Sequence, residues 1–336
     1  MKKLSLIDKL LFVVNSIVAI VLLISYLNYY ISPAIIKYFA FLSLAVPVLI
    51  IVNGLFCIYW LLKLKRQFLL SFVTLAIGMF YLTKLYGFKE KQIIMGSDLK
   101  VMSYNVRLFN LYNWSKEKDL PSKMKSFLDK KDPDVLSIQE YAPLKSNPIN
   151  YPYRYIKMSP SNGNFGHAIF SKYPIVKRGS FDFQGTGNNA IYVDIVKNGD
   201  TLRVYNVHLE SLKLSELQKQ LPSENSEQIQ EKATYSFAKQ TEQAKIIAEH
   251  VENTSYKSII TGDFNNNAFS WVYHLLNKGK KDAFQIAGKG FGKTYDNLFP
   301  LRIDFILVDE RIKINNFKTY SEKYSDHYPI MARIDF

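Results

Sequence analysis

The 336-residue sequence predicts an α/β domain, two sheets packed together with helices outside, preceded by an all-α transmembrane segment. Three observations carry that prediction. Long apolar runs without a charge occupy much of the first 85 residues. Beyond residue 99, short stretches of strand type outnumber helical ones, and many are joined by hairpin-like turns, which excludes a doubly wound parallel sheet. Several of those strands end on polar groups set in apolar surroundings, and open α/β sheets place their ligand sites at strand ends.

The N-terminal part comes first. Residues 10–27 and 39–62 carry no charge, although Pro47 sits inside the second run. Residues 68–82 are also uncharged but shorter than the ~20 residues a span usually needs, and Tyr81 and Tyr86 extend the run with interfacial aromatics. The prediction is three transmembrane helices, at about 10–28, 39–62 and 67–86, within an anchor of residues 1–91. Met1-Lys2-Lys3 would suit a signal peptide, yet no small-x-small cleavage site follows and two more apolar runs come after. The runs hold no charged residue, which speaks for an anchor and against a channel or proton relay. Asn15 and Asn53 are expected to make helix–helix contacts.

Charge sets the expected orientation. Residues 1–97 carry ten basic and two acidic side chains, a net +8, and the remainder holds 33 and 27, a net +6. Lys2, Lys3 and Lys9 precede the first run, only Lys37 lies in the first loop, and Lys63, Lys65 and Arg66 fill the second. Positive-inside bias then expects an integral membrane protein with its N-terminus inside and its C-terminal domain outside, which in a bacterial inner membrane would be the periplasmic side. Lys84, Lys89 and Lys91 argue weakly the other way. A net +6 on the C-terminal part fits an anionic substrate without demanding nucleic acid. Cys57 is the only cysteine, so neither an intramolecular disulfide nor a cysteine metal site is available.

After a linker at 92–98, a soluble domain is expected over 99–336. Residues 100–106 read as a strand with Asn105 near its end, followed by a helix at 120–130 with Pro121 as starter. Residues 134–140 form the next strand, ending on Glu140, and a loop with Pro143, Pro148 and Pro152 follows. A short apolar stretch comes at 166–171. Residues 190–196 and 201–209 make a hairpin around Asn198-Gly199-Asp200, and its second strand carries Asn206 and His208. Residues 210–227 are polar and read as a surface loop, and 228–251 has helical spacing. The strand at 258–262 spills into Asp263 and Asn265, two apart, where an extended backbone would turn both to one side. That pair suits a hard cation or a phosphate, while an Asx-turn is the commoner fate of such a stretch. A short helix at 270–276, a strand at 302–308 with Asp304 inside it, a polar turn around Asp326 and His327, and a last strand at 331–336 complete the chain.

Six of these pieces stand in a recognisable order: Ser-Tyr-Asn-Val at 103–106, Ser-Ile-Gln-Glu at 137–140, Tyr-Asn-Val-His-Leu at 205–209, Thr-Gly-Asp-Phe-Asn at 261–265, Arg-Ile-Asp-Phe-Ile-Leu at 302–307 and Ser-Asp-His-Tyr-Pro-Ile at 325–330. Residues 99–336 thereby resemble the endonuclease/exonuclease/phosphatase superfamily of DNases, apurinic/apyrimidinic endonucleases, inositol-polyphosphate 5-phosphatases and bacterial sphingomyelinases. The resemblance implies a four-layered α/β/β/α sandwich of two mixed sheets and a metal-dependent hydrolase of phosphoric esters. It implies Mg²⁺, or Mn²⁺, held by Glu140 with Asn105 beside it and Asp326 in support. Asp263 would orient or deprotonate the attacking water, Asn265 would hold the phosphate, and His208 would donate to a phosphoryl oxygen. Asp304 would fix the tautomer of His327, which would act as general base or phosphate stabiliser. Asn206 would lie on the substrate side. Arg107 departs from the pattern, because the repair endonucleases carry an aspartate there, and a cation at that position would grip phosphate instead.

The remaining candidates read as structural. The resemblance puts His167 at a position that varies in the family, His250 closes a helix and suits its C-terminal dipole, and His274 lies in a short amphipathic helix. Asn188, Asn189, Thr294 and Tyr295 are expected near the substrate without chemistry. The resemblance implies a substrate that is a phosphate ester of a nucleic acid or of a phospholipid headgroup; the bilayer is expected to be met through the N-terminal helices, and no obligate protein partner is indicated. A rival reading, a non-catalytic tethered module that keeps the fold, would be marked by lost catalytic positions. Glu140, His208, Asp263, Asn265, Asp304 and His327 all stand.

Overall fold

The computed structural model describes residues 4–88, 90–144, 149–159, 163–212, 226–296 and 301–336. It forms two units, Met1–Leu85 with Asn267–His274, and Tyr86–Asn266 with Leu275–Phe336. The proline loop at Pro148, Lys89, and most of the polar loop expected at 210–227 fall outside the described residues.

In the helical unit, Ser5 caps helix α1 (Leu6–Leu27) by accepting from Asp8 N at 3.1 Å. Helix α2 (Phe41–Leu62) follows a single tight turn. Both are long and apolar enough to cross a membrane. Over the third span expected at 67–86 lie two helices, α3 (Phe68–Ile77) and α4 (Met79–Leu85), bent by 75°. Gly78 sits at the break, and the reason is a close approach. A Cβ there would lie 1.9 Å from the Tyr26 hydroxyl, whose ring also stacks on Tyr81 at 4.5 Å. Asn15 ties three helices, donating to Ser71 Oγ at 2.7 Å and accepting from Trp60 Nε1 at 3.0 Å. Asn53 is fully buried, and its side-chain N–H goes to Leu49 O of its own helix at 2.9 Å. The anchor is not free of buried charge. Lys84 of α4 is 2 % exposed, donates to Ala268 O at 3.3 Å and lies 3.6 Å from the centre of the Tyr29 ring.

In the second unit, twelve strands are described: β1 (Leu99–Asn105), β2 (Val135–Tyr141), β3 (Tyr153–Met158), β4 (Gly166–Ser171), β5 (Ile175–Ser180), β6 (Ala190–Lys197), β7 (Asp200–His208), β8 (Lys257–Asp263), β9 (Lys280–Asp282), β10 (Asp304–Asp309), β11 (Lys313–Thr319) and β12 (Ile330–Asp335). They make two mixed six-stranded sheets, ordered β11-β12-β1-β2-β4-β3 and β5-β6-β7-β8-β10-β9. Each has one parallel pair at its heart, β1 with β2 and β7 with β8, flanked by antiparallel strands. The linker expected at 92–98 is hydrogen-bonded along β11, with Ile93 N on Asn315 O at 3.2 Å and Asn315 Nδ2 on Asp98 at 2.8 Å.

Period-two alternation builds the layers. Leu99 and Val101 of β1 join Val135, Ile191, Val204, Ile259 and Ile306 in the core between the sheets. Met102 and Tyr104 point the other way, into a second core with Met124, Phe127 and Leu128 of helix α5 (Leu120–Lys131). Helix α6 (Ser226–Glu252) buries Ala233, Phe237, Ala244 and Ile247. Two short helices, α7 (Trp271–Leu276) and α8 (Ala283–Ala287), follow.

Along the strands the space between the sheets changes chemistry. Beyond the apolar part lies a polar seam. Gln139 Nε2 donates to Ser103 Oγ at 3.1 Å and to Asn206 Oδ1 at 2.6 Å, and Thr261 Oγ1 reaches Ser137 Oγ at 2.8 Å. Past the seam, β1, β2, β7 and β8 end together. Gly262 makes this convergence possible. It has φ 137°, and a Cβ on it would stand 1.9 Å from Val207 O of the neighbouring strand. The strand expected at 302–308 begins only at Asp304. Because β10 runs antiparallel to β8, its first residue pairs with the last of β8, Asp304 with Asp263.

Candidate active site

Asp263 closes β8 and is 1 % exposed. Its Oδ1 accepts from Asn265 N at 2.8 Å, so the Asx-turn and the site are one arrangement. Its Oδ2 is a hub, 3.1 Å from Asn105 Nδ2, 3.6 Å from His208 Nε2 and 3.5 Å from His327 Nε2. Asn265 is not carried to Asp263's side by an extended backbone, as parity suggested. It takes φ 48° and gives its side-chain N–H to Leu209 O at 2.9 Å.

The histidines differ in charge for physical reasons. Burial pulls His208 below the usual imidazole value despite the Asp263 carboxylate nearby, so it is a neutral N–H donor. Burial would also lower His327, but the Asp304 and Asp263 carboxylates outweigh it and hold His327 well above its ordinary value. Its Nδ1 lies 2.9 Å from Asp304 Oδ2. Thr294 fixes that aspartate's strand end, its Oγ1 accepting from Ile303 N and Asp304 N at 3.0 and 3.1 Å. The Tyr295 ring packs edge-on against His327. Burial pushes Asp263 up to about 6, against the opposing pull of His327.

Glu140 reaches the site by breaking parity. Gln139 faces the seam, so the next residue of a regular strand would face away. A bulge between Ile138 and Tyr141 intervenes, and Glu140 takes φ 50°. Its Oε1 then lies 3.1 Å from Asn105 Nδ2 and 4.0 Å from His208 Nε2. Burial raises its carboxyl above the ordinary value. Arg107–Asn110 form a left-handed turn with φ 44°, 58°, 49° and 63°, a conformation that costs about 1–2 kcal/mol per residue for side chains with a Cβ. The turn places Arg107 N on Asn105 Oδ1 at 3.1 Å and its guanidinium 3.2 Å from Asp326 Oδ2 and 4.5 Å from the Trp114 ring centre.

Asp326 and Arg107, expected on metal and phosphate, are thus placed on each other. Asn206 departs furthest from expectation. It is 0 % exposed, donates to Ile138 O and Ala168 O at 2.8 and 2.9 Å, and accepts from Gln139. Two residues before His208 it points the same way, but one strand-step deeper, into the seam. Replacing Asn206 by Leu strands Gln139 and two carbonyls, and it is expected to destabilise the domain by about 2–4 kcal/mol. The check is thermal unfolding together with turnover per folded molecule. A loss of turnover without a lower melting temperature would return Asn206 to substrate binding. His250 bonds Tyr205 Oη at 2.8 Å through Nδ1, not its helix's last carbonyls. His274 packs on Tyr29 at 4.3 Å.

The donor set fits a divalent cation. Glu140, Asp263, Asp304 and Asp326 face one guanidinium and one imidazolium, a surplus of about two negative charges, and the Glu140 carboxylate, with the Asn105 amide beside it, offers oxygen donors suited to a hard ion. Asp263, Asp304 and His327 also bring ligand atoms within 4.8 Å of one another. There both imidazole nitrogens already face carboxylates, which is the geometry of a proton relay rather than of a metal pocket.

Residues 102–327 match the profile of the endonuclease/exonuclease/phosphatase family, and residues 8–85 match that of a domain of unknown function, DUF8431. Among solved structures, TDP2 of D. rerio humanised by 14 mutations is 20% identical with a TM-score of 0.55, over 72% of this chain and 100% of that one. The human nocturnin catalytic domain is 14% identical with a TM-score of 0.55, over 74% and 97%. A mannosyl-6-phosphatase of Bacteroides thetaiotaomicron is 17% identical with a TM-score of 0.51, over 71% and 100%. At these identities the structures show a shared fold. No curated protein sequence is significantly similar to the chain.

Proposed function

Since the chain belongs to the endonuclease/exonuclease/phosphatase family, we propose that it is a membrane-anchored, Mg²⁺- or Mn²⁺-dependent enzyme that hydrolyses a phosphate ester by in-line attack of water. The observation that supports this most is the line Asp304–His327–Asp263 beside Asn105 and Glu140. Glu140, with Asn105 beside it, would hold the cation, which when bound would supply charge stabilisation to the phosphoryl and leaving oxygens. Asp263, ionised at neutral pH, takes the proton of the attacking water. His327, kept protonated by Asp304, faces the developing phosphoryl charge as a cation, and His208 faces it as a neutral donor. Asn265 lies at the phosphate end and Asp326 with Arg107 at the rim. The domain acts outside the inner membrane on a nucleic acid or a phospholipid headgroup, and the anchor favours lipid.

Full-length protein in nanodiscs, supplied with Mg²⁺, is expected to hydrolyse bis-p-nitrophenyl phosphate, with plasmid DNA and sphingomyelin separating the substrate classes. EDTA should abolish turnover and Mg²⁺ or Mn²⁺ restore it. Silence on all three substrates, with metal bound, overturns the proposal. A fluorescent fusion at Phe336 reports sidedness, and a cytoplasmic signal refutes the outer placement.

The pH profile follows from Asp263. Its carboxyl is raised, so the base is protonated and idle below about 6 and competent above. kcat/KM should therefore fall tenfold per unit below about pH 6 and hold a plateau through neutrality, where His327 keeps its proton. A limb left near pH 4 contradicts Asp263 as the base.

A further inference from the structure

A cavity of about 620 Å³ opens beside the site, between the start of β4 and the turn that links β5 to β6. His167, Lys157, Met158, Asp182, Phe183 and Asn188 contribute to its walls. It adjoins the reacting groups. The His167 and His208 rings are 5.7 Å apart, His208 N donates to Asn189 O at 2.9 Å, and Asn188 Nδ2 donates to Leu209 O at 2.8 Å.

We propose that this cavity binds the alcohol part of the substrate, and that this part is a single uncharged polyhydroxyl ring of the sugar or cyclitol class. The proposal rests on the phosphoesterase reading and narrows its substrate. Size is the first argument, because 620 Å³ accommodates one ring and its substituents. Charge is the second. Lys157 and Asp182 are the only charged residues lining it among those described, and they pair at 2.9 Å. A nucleic-acid track needs surplus cations for successive phosphates, and none is offered here.

The third argument is an unmet hydrogen bond. His167 is 3 % exposed, and its Nδ1 has no partner among the described residues. Burial pulls the imidazole down to about 3, so it stays neutral at any working pH. A hydroxyl both donates and accepts, and satisfies either tautomer of a neutral imidazole. Phe183, packed on Phe181 at 6.1 Å, gives the half-buried aromatic face that suits the C–H side of such a ring.

The test uses full-length protein in nanodiscs with Mg²⁺. Glucose 6-phosphate and phosphatidylinositol vesicles are the two polyol arms, free and lipid-borne. Thymidine 5′-p-nitrophenyl phosphate is the nucleotide arm, and phenyl phosphate is a reference without hydroxyls. At least one polyol ester should exceed the nucleotide ester tenfold in kcat/KM. Its ratio to phenyl phosphate should fall at least tenfold in His167→Ala and in the more exposed Phe183→Ala. Turnover of esters with no polyol preference, or variants that leave the ratio unchanged, overturns the proposal and leaves the phosphoesterase reading standing. If no ester turns over, the phosphoesterase reading fails, and calorimetry then judges the cavity. Binding of glucose 6-phosphate or inositol 1-phosphate that weakens tenfold in Phe183→Ala sustains it, and binding that is absent or unchanged overturns it.

Discussion

Asp263→Asn is expected to lower kcat/KM on bis-p-nitrophenyl phosphate by about 10³-fold, within the range for loss of a general base. The substitution keeps the size of the side chain, and an amide oxygen still accepts from Asn265 N, which receives its bond at 2.8 Å in the native site. What disappears is the charge at the hub that meets Asn105, His208 and His327. The acid limb near pH 6 should disappear with it, because the titrating group is gone. Circular dichroism and melting temperature control for folding. A folded variant within tenfold of native activity would remove Asp263 from the chemistry.

The second large effect is shared by Asp304 and His327. Asp304→Asn and His327→Gln are each expected to lower kcat by about 10²–10³-fold, and the double variant by little more than the worse single one. The reason is geometric. Asp304 reaches the phosphate only through His327 Nδ1, 2.9 Å away, so its contribution vanishes once the imidazole is gone. In the proposed mechanism Asp304 is thus a positioning residue, and its carboxylate raises the affinity of His327 for its proton. In Asp304→Asn the basic limb of the pH profile should therefore move to lower pH, an effect that mere loss of packing would not produce. Fully multiplicative losses would show that the two act independently.

Most of the fold was legible because burial writes itself into sequence by period. The strands recovered from sequence alone, β1, β2, β4, β6, β7, β8, β10 and β12, are the inner strands of the two sheets. The four missed, β3, β5, β9 and β11, are the four edges. An edge strand is covered on one side only and carries charges such as Arg154, Lys177 and Lys281, so its alternation is blurred. The bend at Gly78 was not legible, because a glycine in an apolar run does not announce the tyrosine that will press against it.

The sequence by itself determined the layered α/β class, the apolar N-terminal helices and the polar residues that the proposed mechanism uses: Asn105, Glu140, His208, Asp263, Asp304 and His327. Residue type and order suffice for that, since few side chains offer a carboxylate, an imidazole or a carboxamide at a strand end. Only the tertiary structure decided their partnerships. Antiparallel pairing set Asp304 beside Asp263 across 41 residues of sequence (the difference between 304 and 263), a bulge turned Glu140 inward, and a left-handed turn gave Arg107 to Asp326. Asn206 and His208 share a strand and a face, yet one braces the seam and the other meets the site. The physical reason is common to all four. Distances between side chains on different strands depend on register and backbone torsion, and those are fixed by packing rather than by local sequence.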